Sequence, residues 1–248
     1  MTRHAGAPRR AKASKPAKPG RSFKLRGGVR GELFEGPPLG PGVTRADDRT
    51  LRRALERLDL DRDWSEVRDL IVPMLPRLRP HPAGSGEPVR VMLPPGILVG
   101  FAIDIGPALV QVVPELLAQW AVSVEELVRE ALANVARRSD GCDPRRVVRN
   151  RIGAIEVAAL QTGEGIAASL LLAPEHLGRF FGSEPGLLLA PMRDLLLRLP
   201  AAVPAADAAW IAEEFEAVDP NCLHLGAFAW NGSTGLRPVT LEPAFAEA

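Results

Sequence analysis

The sequence predicts an α+β fold, a mostly antiparallel sheet of short strands packed against helices, with a disordered N-terminal tail. Three observations carry this expectation. Short apolar runs are separated by close turn signals, among them Pro94-Pro95-Gly96, Gly106-Pro107, Thr162-Gly163-Glu164-Gly165 and Asn231-Gly232-Ser233-Thr234-Gly235. Runs that close together favour antiparallel pairing, because parallel strands need long crossovers. Strands also come in blocks with helical stretches between the blocks, which is not the alternation of a βαβ fold. Finally, the first 31 residues contain ten basic residues, no acid and few apolar groups, too little apolar surface to offset the entropy of ordering.

The tail and its linker run over residues 1–42, where "FEGPPLGPG" closes the Pro- and Gly-rich stretch. The overall charge is +1, but the residues after 31 hold 21 basic groups against 30 acidic ones, a charge of −9. Arg9, Arg10, Lys12, Lys15, Lys18, Arg21, Lys24 and Arg26 are therefore candidates for weak, sequence-independent contact with a polyanion, either nucleic acid or an anionic surface. Phe23 is the lone aromatic among them, so base stacking has little to build on. A solubilising extension without a specific partner is the alternative.

Residues 43–248 are expected to form a single domain, with 46% hydrophobic residues in the whole chain supplying an ordinary core. Its first part, 43–80, reads as helical. "RTLRRALERL" places Leu51, Ala54, Leu55 and Leu58 on one face. "DWSEVRDLI" follows, with Asp63 at the N-cap and Glu66 three residues on, and with Pro73 and Pro76 ending or kinking the helix. "VRVML", "ILVGFAIDI" and "ALVQVV" read as strands. "VSVEELVREALANVARR" is the clearest helix. Ser123 and Glu126 form a capping box, Val124, Leu127, Val128, Ala131, Leu132 and Val135 form the apolar stripe, and Arg137 and Arg138 suit the negative end of the dipole.

Further along, "AIEVAALQ" and "IAASLLL" read as strands flanking the Thr162–Gly165 turn. "PEHLGRFFG" reads as a short helix between Pro174 and Gly182. In "GLLLAPMRDLLLRLP" two apolar strands flank Arg193 and Asp194, which fall at the connection, and Pro191 is expected at a strand end, an edge or a bulge. "AADAAWIAEEFEAV" reads as a helix burying Ile211, Phe215 and Val218, and "FAW" with "LRPVTLE" reads as a closing hairpin.

Chemistry-bearing patterns are sparse. No Rossmann or P-loop fingerprint stands between a strand and a helix, and no G-x-S-x-G occurs, so no cofactor is indicated. Ser169, His176 and Asp194 make a triad only on paper. Cys222, His224 and Cys142 lack metal-site spacing, so no metal is expected, and two cysteines do not make a disulfide framework. Glu213, Glu214 and Glu216 suit a solvated helix face. Three residues remain as ligand-binding candidates. Asp104, just before a glycine turn, either closes that turn or binds a ligand. Arg193 and Asp194 either re-aim the backbone between two strands or clamp a substrate.

No apolar run reaches the roughly 18 residues needed to cross a bilayer, and the N-terminus lacks the apolar segment of a secretory signal. The expectation is a soluble cytoplasmic protein.

The order "IVPMLP", "ILVGFAIDIGPALVQVVPELLAQWAVSVEELVREALANV", "ASLLL" and "APMRDLLLRLP" resembles the YtpQ-type family of uncharacterised bacterial proteins. The matching positions are Asp104, Ser123, Ala131, Asn134, Ser169, Pro191, Arg193, Asp194 and Leu196, over roughly residues 70 to 241. The basic tail and "CDPRRVVRNR" depart from the family. The resemblance implies a bacterial α+β domain and no catalytic residues. The leading functional expectation is a non-enzymatic binding or interaction module with a cationic arm. The alternative is a hydrolase whose acid and arginine groups the sequence alone does not assemble.

Overall fold

The computed structural model describes residues 22–24, 30–32, 62–75, 87–106, 108–218 and 222–241. The chain divides into two units, 1–36 and 37–248. In the first, β1 (Ser22–Lys24) and β2 (Arg30–Glu32) pair antiparallel, Phe23 opposite Gly31. Arg9, Arg10, Lys12, Lys15, Lys18, Arg21 and Arg26 lie outside the described residues, as do the expected helix over Leu51 to Leu58, His4, His81 and Pro76.

The second unit is α+β with two antiparallel sheets. Its first described element is α1 (Trp64–Val67), a single turn continued by a 3-10 turn, Arg68–Leu70. The Asp63 side chain makes no cap; its backbone carbonyl accepts the Glu66 amide at 2.9 Å instead. The expected helix over "DWSEVRDLI" is thus corrected: it stops early, and Ile71–Met74 is strand β3. Pro73 fits there because, among the described residues, β3 pairs with one neighbour only, so its missing N–H removes no ladder bond on a second side. That neighbour is β5 (Ile97–Asp104). On its other edge β5 receives two strands end to end, β4 (Arg90–Leu93) and β6 (Leu109–Gln111). They are joined by a bond from the Val89 amide to the Val112 carbonyl at 2.9 Å.

Helices α2 (Pro114–Trp120) and α3 (Val124–Gly141) follow. Ser123 caps α3, its hydroxyl accepting the Glu126 amide at 3.1 Å. Glu126 is turned to tertiary use: its carboxylate accepts the Trp64 indole N–H at 3.1 Å. Trp64 stacks obliquely on Trp120, ring centroids 5.5 Å apart, and Trp120 donates to the Arg62 carbonyl. These contacts fix α1 against the start of α3. The expected stripe on α3 is buried at Leu127, Ala131 and Val135, but Val124 is exposed.

The six-stranded sheet has the order β12-β11-β9-β10-β8-β7. Its strands are β7 (Val147–Ile152), β8 (Ile155–Leu160), β9 (Gly186–Met192), β10 (Leu195–Pro200), β11 (Ala227–Trp230) and β12 (Leu236–Val239). The segment "ASLLL" is a buried 3-10 helix, Ala168–Leu172, which corrects the expected strand. A wholly apolar run of this length does not distinguish a strand from a helical segment enclosed on all sides. Thr162–Gly165 therefore connects β8 to that 3-10 helix and closes no hairpin. The remaining α-helices among the described residues are α4 (Leu177–Phe181) and α5 (Ala205–Val218).

The two faces of the larger sheet are both covered. Leu160, Leu188, Leu196, Phe228 and Trp230 join a core shared with Ile71, Val99, Phe101 and Ile103 of the smaller sheet and with Leu127 and Val135 of α3. Helix α5 packs along β9 and buries Ala208, Ala209 and Ile211, whereas Phe215 is only half-buried. The side chains of Glu216 and Val218 lie outside the described set. No helix among the described residues is long and apolar enough to cross a membrane.

Candidate functional site

Arg193 and Asp194 form the turn between β9 and β10. The ladder slips by one residue here: Met192 faces Leu195 and Leu189 faces Leu197, so Ala190 and Pro191 together oppose Leu196. Pro191 thus sits at a bulge, where its lack of an N–H breaks no regular pair. The Asp194 carboxylate does not cap a local amide. It reaches the β8 exit loop, accepting the amides of Thr162 at 3.2 Å, Gly163 at 2.7 Å and Ala167 at 3.4 Å, and the Thr162 hydroxyl. The Arg193 carbonyl accepts the Ala168 amide at 3.1 Å. Its guanidinium lies against Gly165, whose φ of +72° and lack of a Cβ allow the approach. Arg146 secures the same loop, donating to the Thr162 carbonyl at 2.5 Å.

Asp104 serves a separate connection. It accepts the Gly106 amide at 2.9 Å, closing the turn into β6, and pairs with Arg138 of α3 at 2.7 Å. The three ligand-binding candidates therefore split between two structural turns. Ser169 is buried on the 3-10 helix that follows the β8 exit loop, and His176 faces Asp140 and Glu175. Cys222 and His224 do meet, Sγ to Nε2 at 2.7 Å. Among the described residues, no group of three His, Cys, Asp or Glu side chains is placed to hold a metal ion.

One polar cleft emerges elsewhere. The sheet register aligns Arg149 of β7, Ala158 of β8 and Arg198 of β10 in one row, which continues to Leu188 and Phe228. Side chains in one row share a face, so both arginines rise from the core-facing side of the sheet. The small Ala158 between them leaves room. The result is a cleft of about 170 Å³, bounded also by Glu156, Glu184, Pro185 and Pro200.

Arg198 is held firmly. Its side chain is only 9% exposed, and Nη2 donates to the carbonyls of Glu184 at 3.1 Å and Pro185 at 3.2 Å and to the Glu184 carboxylate at 3.2 Å. Its Nε is buried without an acceptor. A Cβ on Gly186 would lie 2.9 Å from that Nε and 2.7 Å from the Leu199 carbonyl, so glycine there gives the arginine its channel along the sheet. Arg149 is looser, 3.9 Å from Glu156. The sequence did carry a signal for this site: Arg198 breaks the apolar run "LLLRLP" at a position that the strand buries.

Comparison with protein-family models, curated proteins and solved structures found no match to this chain.

Proposed function

We propose that the protein is a bacterial, cytoplasmic binding or interaction module, related to the YtpQ-type proteins, whose acidic folded body carries a cationic N-terminal segment. The observation that carries this reading is where the chemistry-bearing side chains are spent. Asp194 gathers the donors of the β8 exit loop, and Asp104 ties a turn to Arg138. Groups committed in this way hold backbone in place. The cleft offers arginine forks, which grip oxyanions, with carboxylates at its rim. The outer face of the smaller sheet adds a contact feature, since Met92 is 62% exposed and its cross-strand partner Leu98 37%. The ordered segments "IVPMLP" to "APMRDLLLRLP" support the family reading.

The cationic segment is the module's polyanion contact, sequence-independent and electrostatic. Titration of heparin and duplex DNA into the full chain tests this. Binding is expected to weaken steeply with salt and to disappear when Lys12, Lys15, Lys18 and Lys24 are all replaced by glutamate. The same preparation is expected not to turn over ester or phosphoester model substrates. Turnover that Asp104→Asn or Asp194→Asn abolishes would put a hydrolase in place of the module.

A further inference from the structure

We propose that the cleft between Arg149 and Arg198 binds a small oxyanion, the carboxylate or phosphate group of a low-molecular-weight ligand. The sheet itself sets the spacing. Adjacent strands lie about 4.8 Å apart, so the two arginine stems rise roughly 10 Å apart with Ala158 between them. Both arginines line the cleft, and a guanidinium fork matches the paired oxygens of a carboxylate or phosphate. The cleft of about 170 Å³ has the volume of on the order of five waters. That suits an anion of several heavy atoms, not a polymer.

The carboxylates already present pair only loosely with the two arginines. A guanidinium as buried as that of Arg198 needs close pairing to offset its lost hydration. Its carboxylate partner, Glu184, is 84% exposed and touches Nη2 alone. Arg149 and Glu156 are both more than half exposed and stand 3.9 Å apart, a separation at which solvent screens most of the attraction. Both carboxylates occupy the rim, where a ligand oxyanion would displace them into water at little cost. The Glu184 and Pro185 carbonyls meanwhile keep Arg198 in position. The rim glutamates also repel extended polyanions, so selection favours a single small anion.

Calorimetric titration of the full chain with inorganic phosphate and, separately, with succinate tests the site and distinguishes its two oxyanion sources. At least one probe is expected to bind. Arg149→Gln and Ala201→Glu are expected to weaken that binding by about tenfold or more, the scale of one lost charge-assisted hydrogen bond. Arg149 is more than half exposed and Ala201 is exposed at the cleft wall, so both variants are expected to melt with the native protein. If neither probe binds the native chain, or if native and variant chains bind equally, the proposal is overturned. Equal binding would place the anion elsewhere, as on the basic N-terminal residues.

Discussion

Asp194 and Thr162 stand 32 positions apart, yet one carboxylate oxygen accepts both the amide and the hydroxyl of the threonine. The contact joins the β9–β10 turn to the loop that leaves β8. The other oxygen takes the Gly163 amide at 2.7 Å, and the Thr162 hydroxyl oxygen in turn accepts the amides of Glu164 and Ile166. A loop without its own secondary structure thus has most of its amides paired through two side chains.

The first prediction follows from that arrangement. Asp194→Ala leaves three amides and a hydroxyl without their acceptor, and unsatisfied part-buried donors cost about 1–3 kcal/mol in sum. For a chain of this size the melting temperature is expected to fall by roughly 2–10 °C. Asp194→Asn, which keeps one acceptor oxygen, is expected to lose less. Thermal melts of both variants check this, and an unchanged melt for the alanine variant contradicts it.

The same residue shows what the sequence could and could not disclose. That Arg193 and Asp194 lie at a connection was legible, because two continuous apolar runs flank them and Pro191 cannot continue a ladder. That Asp194 reaches back to Thr162 was not, because hydrogen bonds across 32 residues leave no local pattern. Helix α3 was legible from its cap and stripe. "ASLLL" was misread, since an apolar run enclosed on every side shows neither a period of two nor one of 3.6. Arg198 was overlooked although its signal was present: the charged residue that matters in "RDLLLRLP" is the one inside the strand, and only strand register shows that it shares a row with Arg149.

A second prediction concerns Arg138 and Asp104. Their 2.7 Å contact is largely shielded from solvent, and it ties the end of β5 to the last turns of α3. Exposed pairs couple by at most about 1 kcal/mol, and shielding raises the value only modestly after desolvation. A double-mutant cycle of Arg138→Ala and Asp104→Ala is expected to give a coupling of about 1 kcal/mol. Additive losses would show that the two residues act independently.

Asn134 supplies the third. It is 1% exposed on α3, and its amide donates to the carbonyls of Arg68 at 2.7 Å and Ile71 at 2.8 Å while its oxygen accepts from Arg137. The two carbonyls mark the point where the 3-10 turn becomes β3, so one side chain fixes that change of direction. Asn134→Leu is close in volume yet satisfies neither carbonyl. It is expected to destabilise the fold by about 2–3 kcal/mol, measured by denaturant titration. A loss below that of an ordinary surface substitution would mean that water replaces the amide.

The fourth prediction is a pH dependence at Cys142. Burial pushes this thiol above its ordinary value, and the surrounding charges divide, Arg146 and Arg179 lowering it while Glu164 and Asp194 raise it. The folded protein therefore holds the proton more tightly than the unfolded chain does. As pH rises past the ordinary thiol value of 9.0, the unfolded chain releases its proton first and binds fewer protons than the native state. Stability falls with pH wherever that holds. The thiol's contribution is thus complete below 9.0 and is lost as pH climbs to the folded value. Alkylation is expected to be slow in the native protein at neutral pH and fast in denaturant, because the thiolate is the reacting form. Cys142→Ala is expected to show a flatter stability profile than the native chain in the alkaline range. Since the chain has no tyrosine and Cys222 is kept in both proteins, the difference between the two profiles isolates Cys142. Superimposable profiles would show that burial leaves this thiol's titration unchanged on folding.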